Sequence, residues 1–208
     1  RPIVFLGSES MALRAKDFVS VNVAVACWEW PSYMDPEAKK KGISIIKSPY
    51  QQYENPLYSN NKIIGTYINS IMALHDALAK NADEAILLDK NGFISEGSGE
   101  NLFIIKDSKL LTPKTDFCLN GITRQSVIQI ARDLGIEVEE KNLIFDELVD
   151  ADEAFFSGTA VEITPITKVD NLIIGSGTIG PISQRLQSKY SEIVCGKDTT
   201  YSDWLTYI

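Results

Sequence analysis

Residues 83–135 read DEAILLDKNGFISEGSGENLFIIKDSKLLTPKTDFCLNGITRQSVIQIARDLG. Ala85 to Leu88 is an apolar run of strand length. Lys90-Asn91-Gly92 follows it as a hairpin signal, because Asn-Gly accepts the positive φ angles of a tight turn. Leu102 to Ile105 and Leu110 to Leu111 continue the β pattern. From Thr123 to Leu134 the apolar spacing becomes that of an amphipathic helix, with Gly135 placed to close it.

Outward from this stretch the same mixture continues. On the C-terminal side, Ile136 to Lys141, Ala154 to Phe156, Ile163 to Val169 and Leu172 to Ile174 read as strands, and Pro181 opens a last helix to about Cys195. On the N-terminal side, Lys62 to about Ala79 is helical, with Ile64, Tyr67, Ile68, Ile71, Met72 and Leu78 on one apolar band. Residues 49–61 are mostly polar and read as a loop, and Ile43 to Ile46 as a short strand. Val19 to Trp30 is a strand ended by Pro31, with a linker over residues 31–36. The opening Arg1-Pro2-Ile3-Val4-Phe5-Leu6 has no initiator methionine and reads as entry into a strand, so the sequence is expected to begin inside a domain. Strands outnumber helices and mix with them, which predicts an α/β or α+β fold with a mixed sheet or barrel. The expected division is residues 1–35, the end of a small domain plus linker, and residues 36–208, a larger domain.

Composition narrows the function. Of the 208 residues, 44% are hydrophobic, enough for a real core, and the net charge of -8 argues against a nucleic-acid partner. No apolar run is long enough to span a bilayer, so no membrane partner is expected. Cys27, Cys118 and Cys195 form no CxxC pair, so no zinc or dithiol site is expected; they read as small buried hydrophobes in a reducing, cytoplasmic setting. The lone His75 sits in a predicted helix without partners, so no metal site is expected.

Gly175-Ser176-Gly177-Thr178-Ile179-Gly180 matches the spelling of a dinucleotide-binding loop, yet only one helix and a short tail follow, so no βαβ unit can form. It reads as a glycine-rich connection. Three other segments place small residues and backbone donors beside charged or hydroxyl side chains: Ser95-Glu96-Gly97-Ser98-Gly99-Glu100-Asn101-Leu102-Phe103, Asn120-Gly121-Ile122-Thr123-Arg124 and Ser157-Gly158-Thr159-Ala160-Val161-Glu162. A helix N-terminus with a Thr hydroxyl is a natural phosphate seat. Singly, each segment is more often a cap or a turn.

Together with Lys62-Ile63-Ile64-Gly65-Thr66-Tyr67-Ile68-Asn69-Ser70, these segments resemble, in order and spacing, the class IV aminotransferases, the fold type IV pyridoxal-phosphate enzymes. GENLF, the opening RPIVFLG and the WEWPSYM segment are most similar to the branched-chain amino acid group. The resemblance covers essentially the whole chain and implies a fold type IV architecture. Against the family pattern, the N-terminal part of the small domain is missing, and with it an arginine for the cofactor phosphate.

The resemblance implies pyridoxal 5′-phosphate as cofactor, held by Lys62, which also moves the substrate proton. It implies Glu96 at the pyridine nitrogen and Tyr67 at the 3′ oxygen. Ile122, Thr123, Gly158 and Thr159 meet the phosphate, and the N–H groups of Thr159 and Ala160 meet the substrate α-carboxylate. Arg1 is matched to the distal carboxylate of glutamate. Trp30 and Tyr33 are matched to an apolar side-chain pocket, and Leu13 to a loop reaching a neighbouring subunit. The implied reaction is transamination between Leu, Ile or Val and 2-oxoglutarate, by a homodimer or larger homo-oligomer. Two enzyme readings share the scaffold, a D-amino acid aminotransferase and an aminodeoxychorismate lyase, and a catalytically inactive fragment that only binds or assembles is the alternative of another class.

Overall fold

The computed structural model describes residues 1–10, 18–29, 37–53 and 61–207. The chain divides into two compact units, Arg1–Tyr33 and Met34–Ile208. In the first, β1 (Pro2–Leu6) and β2 (Val21–Val25) form an antiparallel ladder from Pro2 opposite Val25 to Leu6 opposite Val21. The strand is shorter than the run of Val and aromatic residues that predicts it.

The second unit contains α1 (Ala38–Lys41), β3 (Ile43–Lys47), a 3-10 turn at Ile64–Thr66 and α2 (Tyr67–Ala79). Next come β4 (Glu84–Leu88), β5 (Ile94–Gly97), β6 (Asn101–Lys106), β7 (Lys109–Pro113), α3 (Ile122–Asp133), β8 (Val138–Lys141) and α4 (Phe145–Val149). It ends with β9 (Glu153–Gly158), β10 (Glu162–Val169), β11 (Leu172–Ile173), α5 (Pro181–Val194) and a 3-10 segment, Thr199–Trp204. The strands lie in the order β5-β4-β3-β10-β9-β6-β7-β8, with β11 on β10. The β3–β4, β3–β10 and β7–β8 pairs are parallel and the others antiparallel, so the sheet is mixed, as expected. Its two ends approach each other. Just beyond β8, Leu143 accepts the Ile94 N–H (2.7 Å) and Ile144 bridges Phe93 beside β5. The sheet is therefore curled toward a barrel.

Alternation explains the long apolar strands. In β6, Leu102 and Ile104 join a core inside the curl with Ile45, Ile86 and Phe156. Phe103 and Ile105 point the other way, into a core under α3 and α5 with Val127, Ile130, Phe155 and Leu186. A strand buried on both faces needs no polar alternation. Phe103 and Phe155 stack across the β6–β9 pair at 5.0 Å.

Helix α2 differs from its sequence pattern. Its buried face consists of Ser70, Ala73 and Ala77, packed with Ala82, Ala85, Ile46 and Leu87. The expected apolar band, Ile64, Ile68, Ile71, Met72 and Leu78, is exposed. Small residues let the helix lie close on β4, and periodicity alone does not distinguish a face turned to the core from one left outside.

The glycine-rich run at 175–180 leads into α5 as a connection. The Glu153 carboxylate already accepts the Ile182 and Ser183 N–H groups (3.0 and 2.7 Å) that a phosphate would need. Among the cysteines, Cys118 is buried, while Cys27 and Cys195 are exposed, contrary to the expectation for those two. Among the described residues no group of His, Cys, Asp and Glu is arranged to hold a metal, and no helix is long and apolar enough to cross a membrane.

Ala77 is fully buried where α2 meets the sheet. Ala77→Leu is expected to lower unfolding stability by roughly 1–3 kcal/mol through overpacking. The urea midpoint reads this, and an unchanged midpoint rules out the close seating of α2.

Candidate active site

The sequence places Lys62 at the start of a helix, but the structure does not: the 3-10 turn begins at Ile64 and α2 at Tyr67. Lys62 lies in the extended segment before the 3-10 turn, with Ile63 at φ -97°, ψ 129°. Its amine is exposed and sits 5.5 Å from the centre of the Tyr67 ring. The approach to Lys62 is fixed by polar ties. Thr66 Oγ1 donates to the Ile63 carbonyl (2.8 Å), and Asn69 donates to the Gln51 carbonyl (2.7 Å). The Gln52 N–H donates to Leu88 at the end of β4 (2.9 Å).

Lys62, Tyr67 and Glu96 line one polar cleft with Gln52, Asn101 and Leu119. Glu96 is in strand β5, not in a turn. One carboxylate oxygen accepts the Gln52 side-chain amide and the other the Leu119 N–H (3.0 Å). Burial pushes this carboxyl up to about 7, and the Leu119 N–H, the Gln52 amide and the Lys62 charge all pull in the opposite direction. Near neutral pH it exchanges a proton readily and gains from a cationic partner. Cys118, beside it, is no rival nucleophile: burial, then the Glu96 charge, pushes its thiol up to about 12.

A carboxyl pair, Glu84 and Glu100, adjoins the cleft, with Glu100 in its lining. Glu84 is fully buried and accepts the Ala85 N–H (2.6 Å) and the Ser98 hydroxyl (2.8 Å). Glu100, also buried, accepts the Gly99 N–H (2.9 Å) and hydrogen-bonds Glu84. Burial, followed by the Glu84 charge, pushes Glu100 up to about 8, and burial raises Glu84 as well, so the pair shares a proton. Sequence reading gave no role to Glu84, Glu100, Gln52 or Leu119. The GENLF motif did signal Glu100 and Asn101; nothing local marks Gln52.

The other segments converge near this wall. Ile122 and Thr123 form the first turn of α3, which no side chain caps. Gly121 abuts Asn101, since a Cβ there would lie 2.5 Å from Asn101 Oδ1. Asn101 is opposite Ser157 in the β6–β9 ladder. The buried Ser157 hydroxyl has no hydrogen-bond partner among the described residues. Gly158 ends β9 opposite Glu162 and adjoins the Gly99 carbonyl, and Thr159 and Ala160 follow on the β9–β10 turn. Arg1, in the first unit, is exposed, its guanidinium 5.7 Å from the Trp28 ring centre. Leu13, Trp30 and Tyr33 lie outside the described residues.

The amino-transferase class IV model matches residues 1–169. The chain belongs to the class IV aminotransferases. Within them it falls in the branched-chain group. It is 45% identical to the branched-chain-amino-acid aminotransferase of Pseudomonas aeruginosa, over all of this chain and 68% of that protein. A branched-chain amino acid aminotransferase from T.th., complexed with N-(5′-phosphopyridoxyl)-L-glutamate, superimposes with a TM-score of 0.90 at 40% identity, covering 99% of this chain and 67% of that one. The Thermoproteus uzoniensis branched-chain aminotransferase with norvaline gives a TM-score of 0.91 at 39% identity over the same shares. The curled mixed sheet is thus the fold type IV architecture that the motifs imply.

The Glu84–Glu100 pair has a pH signature. Glu100 titrates near 8 when folded and near the ordinary glutamate value of about 4.3 when unfolded, so between these values the folded state binds more protons. This contribution to stability therefore declines as pH rises from about 5 to 8. Glu100→Gln keeps a donor for Glu84 and is expected to flatten the decline in the Tm of cofactor-free protein. An unaltered pH–Tm curve contradicts the shared proton.

Proposed function

We propose that the cleft holds pyridoxal 5′-phosphate on Lys62, and that the enzyme moves amino groups between the branched-chain L-amino acids leucine, isoleucine and valine and 2-oxoglutarate. The observation that carries this reading is the pairing, in one cleft, of an exposed lysine amine with a carboxyl raised to about 7 and supplied with two hydrogen-bond donors. The residues present suit the cofactor's chemistry. An amine meets its aldehyde, a carboxylate its pyridinium, and the uncapped start of a 12-residue helix its phosphate. When bound, the cofactor supplies an electron sink for the substrate's Cα and a temporary carrier for the amino group.

In this reading Lys62 Nζ would hold the cofactor and, when free and neutral, would carry the proton between substrate Cα and the cofactor's C4′ carbon. Glu96 keeps the pyridine nitrogen protonated. A pyridinium proton is the cationic partner that this buried carboxylate otherwise lacks, so each group stabilises the charged form of the other. Tyr67 offers its hydroxyl to the 3′ oxygen. The N–H groups of Ile122 and Thr123, with Gly158 and Thr159, seat the phosphate. Those of Thr159 and Ala160 orient the α-carboxylate. Arg1 receives the distal carboxylate of glutamate, which an apolar pocket at Trp30 and Tyr33 does not stabilise alone.

We assign residues 1–35 to the end of the small domain and its linker, and residues 36–208 to the cofactor-binding domain. We also propose a homodimer or larger homo-oligomer in the cytoplasm, with Leu13 reaching a neighbouring site. The exposed apolar band of Ile64, Ile68, Ile71 and Met72 supports a partner surface. Complexes of the relatives with a phosphopyridoxyl-glutamate and with norvaline favour this substrate pairing over a D-amino acid or aminodeoxychorismate reading.

Borohydride reduction with pyridoxal phosphate, followed by peptide mapping, is expected to label Lys62; a label on another lysine overturns the assignment. Replacing Arg1 with Met is expected to reduce kcat/KM for glutamate roughly 10- to 100-fold, the scale of one charged hydrogen bond, and to spare leucine. Equal losses for both substrates would falsify the role of Arg1.

A further inference from the structure

The two ends of the cleft depend on one short piece of chain. Residues 114–121, between β7 and α3, have no regular structure. Leu119 in this loop gives its N–H to Glu96 (3.0 Å), and two residues later Gly121 begins α3 with its uncapped first turn. A small displacement of the loop therefore moves the partner of Glu96 and the helix N-terminus together.

Besides Glu96, two side chains tie the loop to the sheet. Ser95 donates its hydroxyl to the Phe117 carbonyl, and Asn101 donates Nδ2 to the Leu119 carbonyl (2.8 Å). Asn101 is 6% exposed and stands at the start of β6, its backbone fixed opposite Ser157. Its other amide atom, Oδ1, lies against Gly121 so closely that an added Cβ would be 2.5 Å away. Gly121 has φ -63° and ψ 146°, a conformation open to any residue. Glycine is required there for the approach of Asn101, not for the backbone angle.

We propose that Asn101 is a positioning residue whose side-chain amide, set between the Leu119 carbonyl and Gly121, fixes the spacing between the donor to Glu96 and the N-terminus of α3. The proposal rests on the cofactor reading of the cleft. It gives the pyridine end and the phosphate end of one rigid cofactor a common mount. Loss of the amide leaves the Leu119 carbonyl only its local bond from the Gly121 N–H (2.9 Å), so the loop loses its tie to β6, the hydrogen bond to Glu96 loosens and the start of α3 drifts.

The test uses Asn101→Ala, Gly121→Ala and the double variant. The dissociation constants of pyridoxal phosphate and of pyridoxal, which lacks the phosphate, are read from their absorbance, and kcat is measured at saturating cofactor. Asn101→Ala is expected to weaken pyridoxal phosphate about 10-fold relative to pyridoxal and to lower kcat by a similar factor, the scale of one buried hydrogen bond. Gly121→Ala should do the same by displacing the amide. The double variant should be no worse than Asn101→Ala, because the new methyl enters vacated space. A merely structural asparagine lowers Tm without altering the preference for the phosphorylated form. That result, a silent Gly121→Ala or additive losses in the double variant overturns the proposal. If Asn101→Ala does not fold, Gly121→Ala alone decides by the same preference. Wild-type protein that binds neither form overturns the cofactor reading itself and is recognised before any variant is compared.

Discussion

A carboxylate drawn out of water has to be answered by donors or by positive charge, and at Glu96 the answer organises its whole neighbourhood. The Leu119 N–H holds one oxygen and the Gln52 amide the other. Each donor then needs its own support. Gln52 is held by its backbone bond to Leu88 at the end of β4. Leu119 is held by Asn101 at the start of β6. The two segments flanking the cleft are thus placed by strands whose register is set by a core buried on both faces. Lys62 adds a nearby positive charge, yet burial outweighs it and both donors and lifts the carboxyl to about 7.

The same wall holds a contrasting solution. Glu84 and Glu100 are buried in hydrogen-bond contact, and two such carboxylates cannot both be ionised there without a large cost. Sharing a proton within the Glu84–Glu100 pair keeps a second negative charge away from Glu96. Burial raises all three carboxyls, and what differs is how each is answered: donors from Gln52 and Leu119 at Glu96, a shared proton between Glu84 and Glu100. Helix N-termini divide in the same way. The start of α5 is satisfied internally by Glu153, whereas the start of α3 is left without a side-chain cap beside the Asn101 wall.

Much of this fold was legible in the chain itself. Strand β6, helix α3 with Gly135 in the left-handed region after it, and α5 with Pro181 in its first turn follow from period, capping and turn chemistry. Short α1 and α4 were missed, because four or five residues carry too little periodicity to register. The α2 band misled about its facing, because Ala73 and Ala77 pack as tightly as larger residues while leaving no strong apolar signal. At the site, Lys62, Tyr67 and Glu96 were reached through motif resemblance, and the described structure brings them to one cleft. Gln52 and Leu119 were not legible: their parts depend on contacts across 44 and 23 residues of chain, and one of them acts through its backbone. No local pattern encodes such a tertiary donor.

The central claim is that Glu96 is a carboxyl tuned by burial and waiting for a cationic partner. ¹³C NMR of glutamate-labelled protein, assigned through Glu96→Gln, measures this directly. Without cofactor, the Glu96 carboxyl resonance should titrate with a midpoint near 7; with pyridoxal phosphate bound, it should remain ionised through that range. A midpoint close to the ordinary value of about 4.3 in cofactor-free protein, unchanged on binding, contradicts the account.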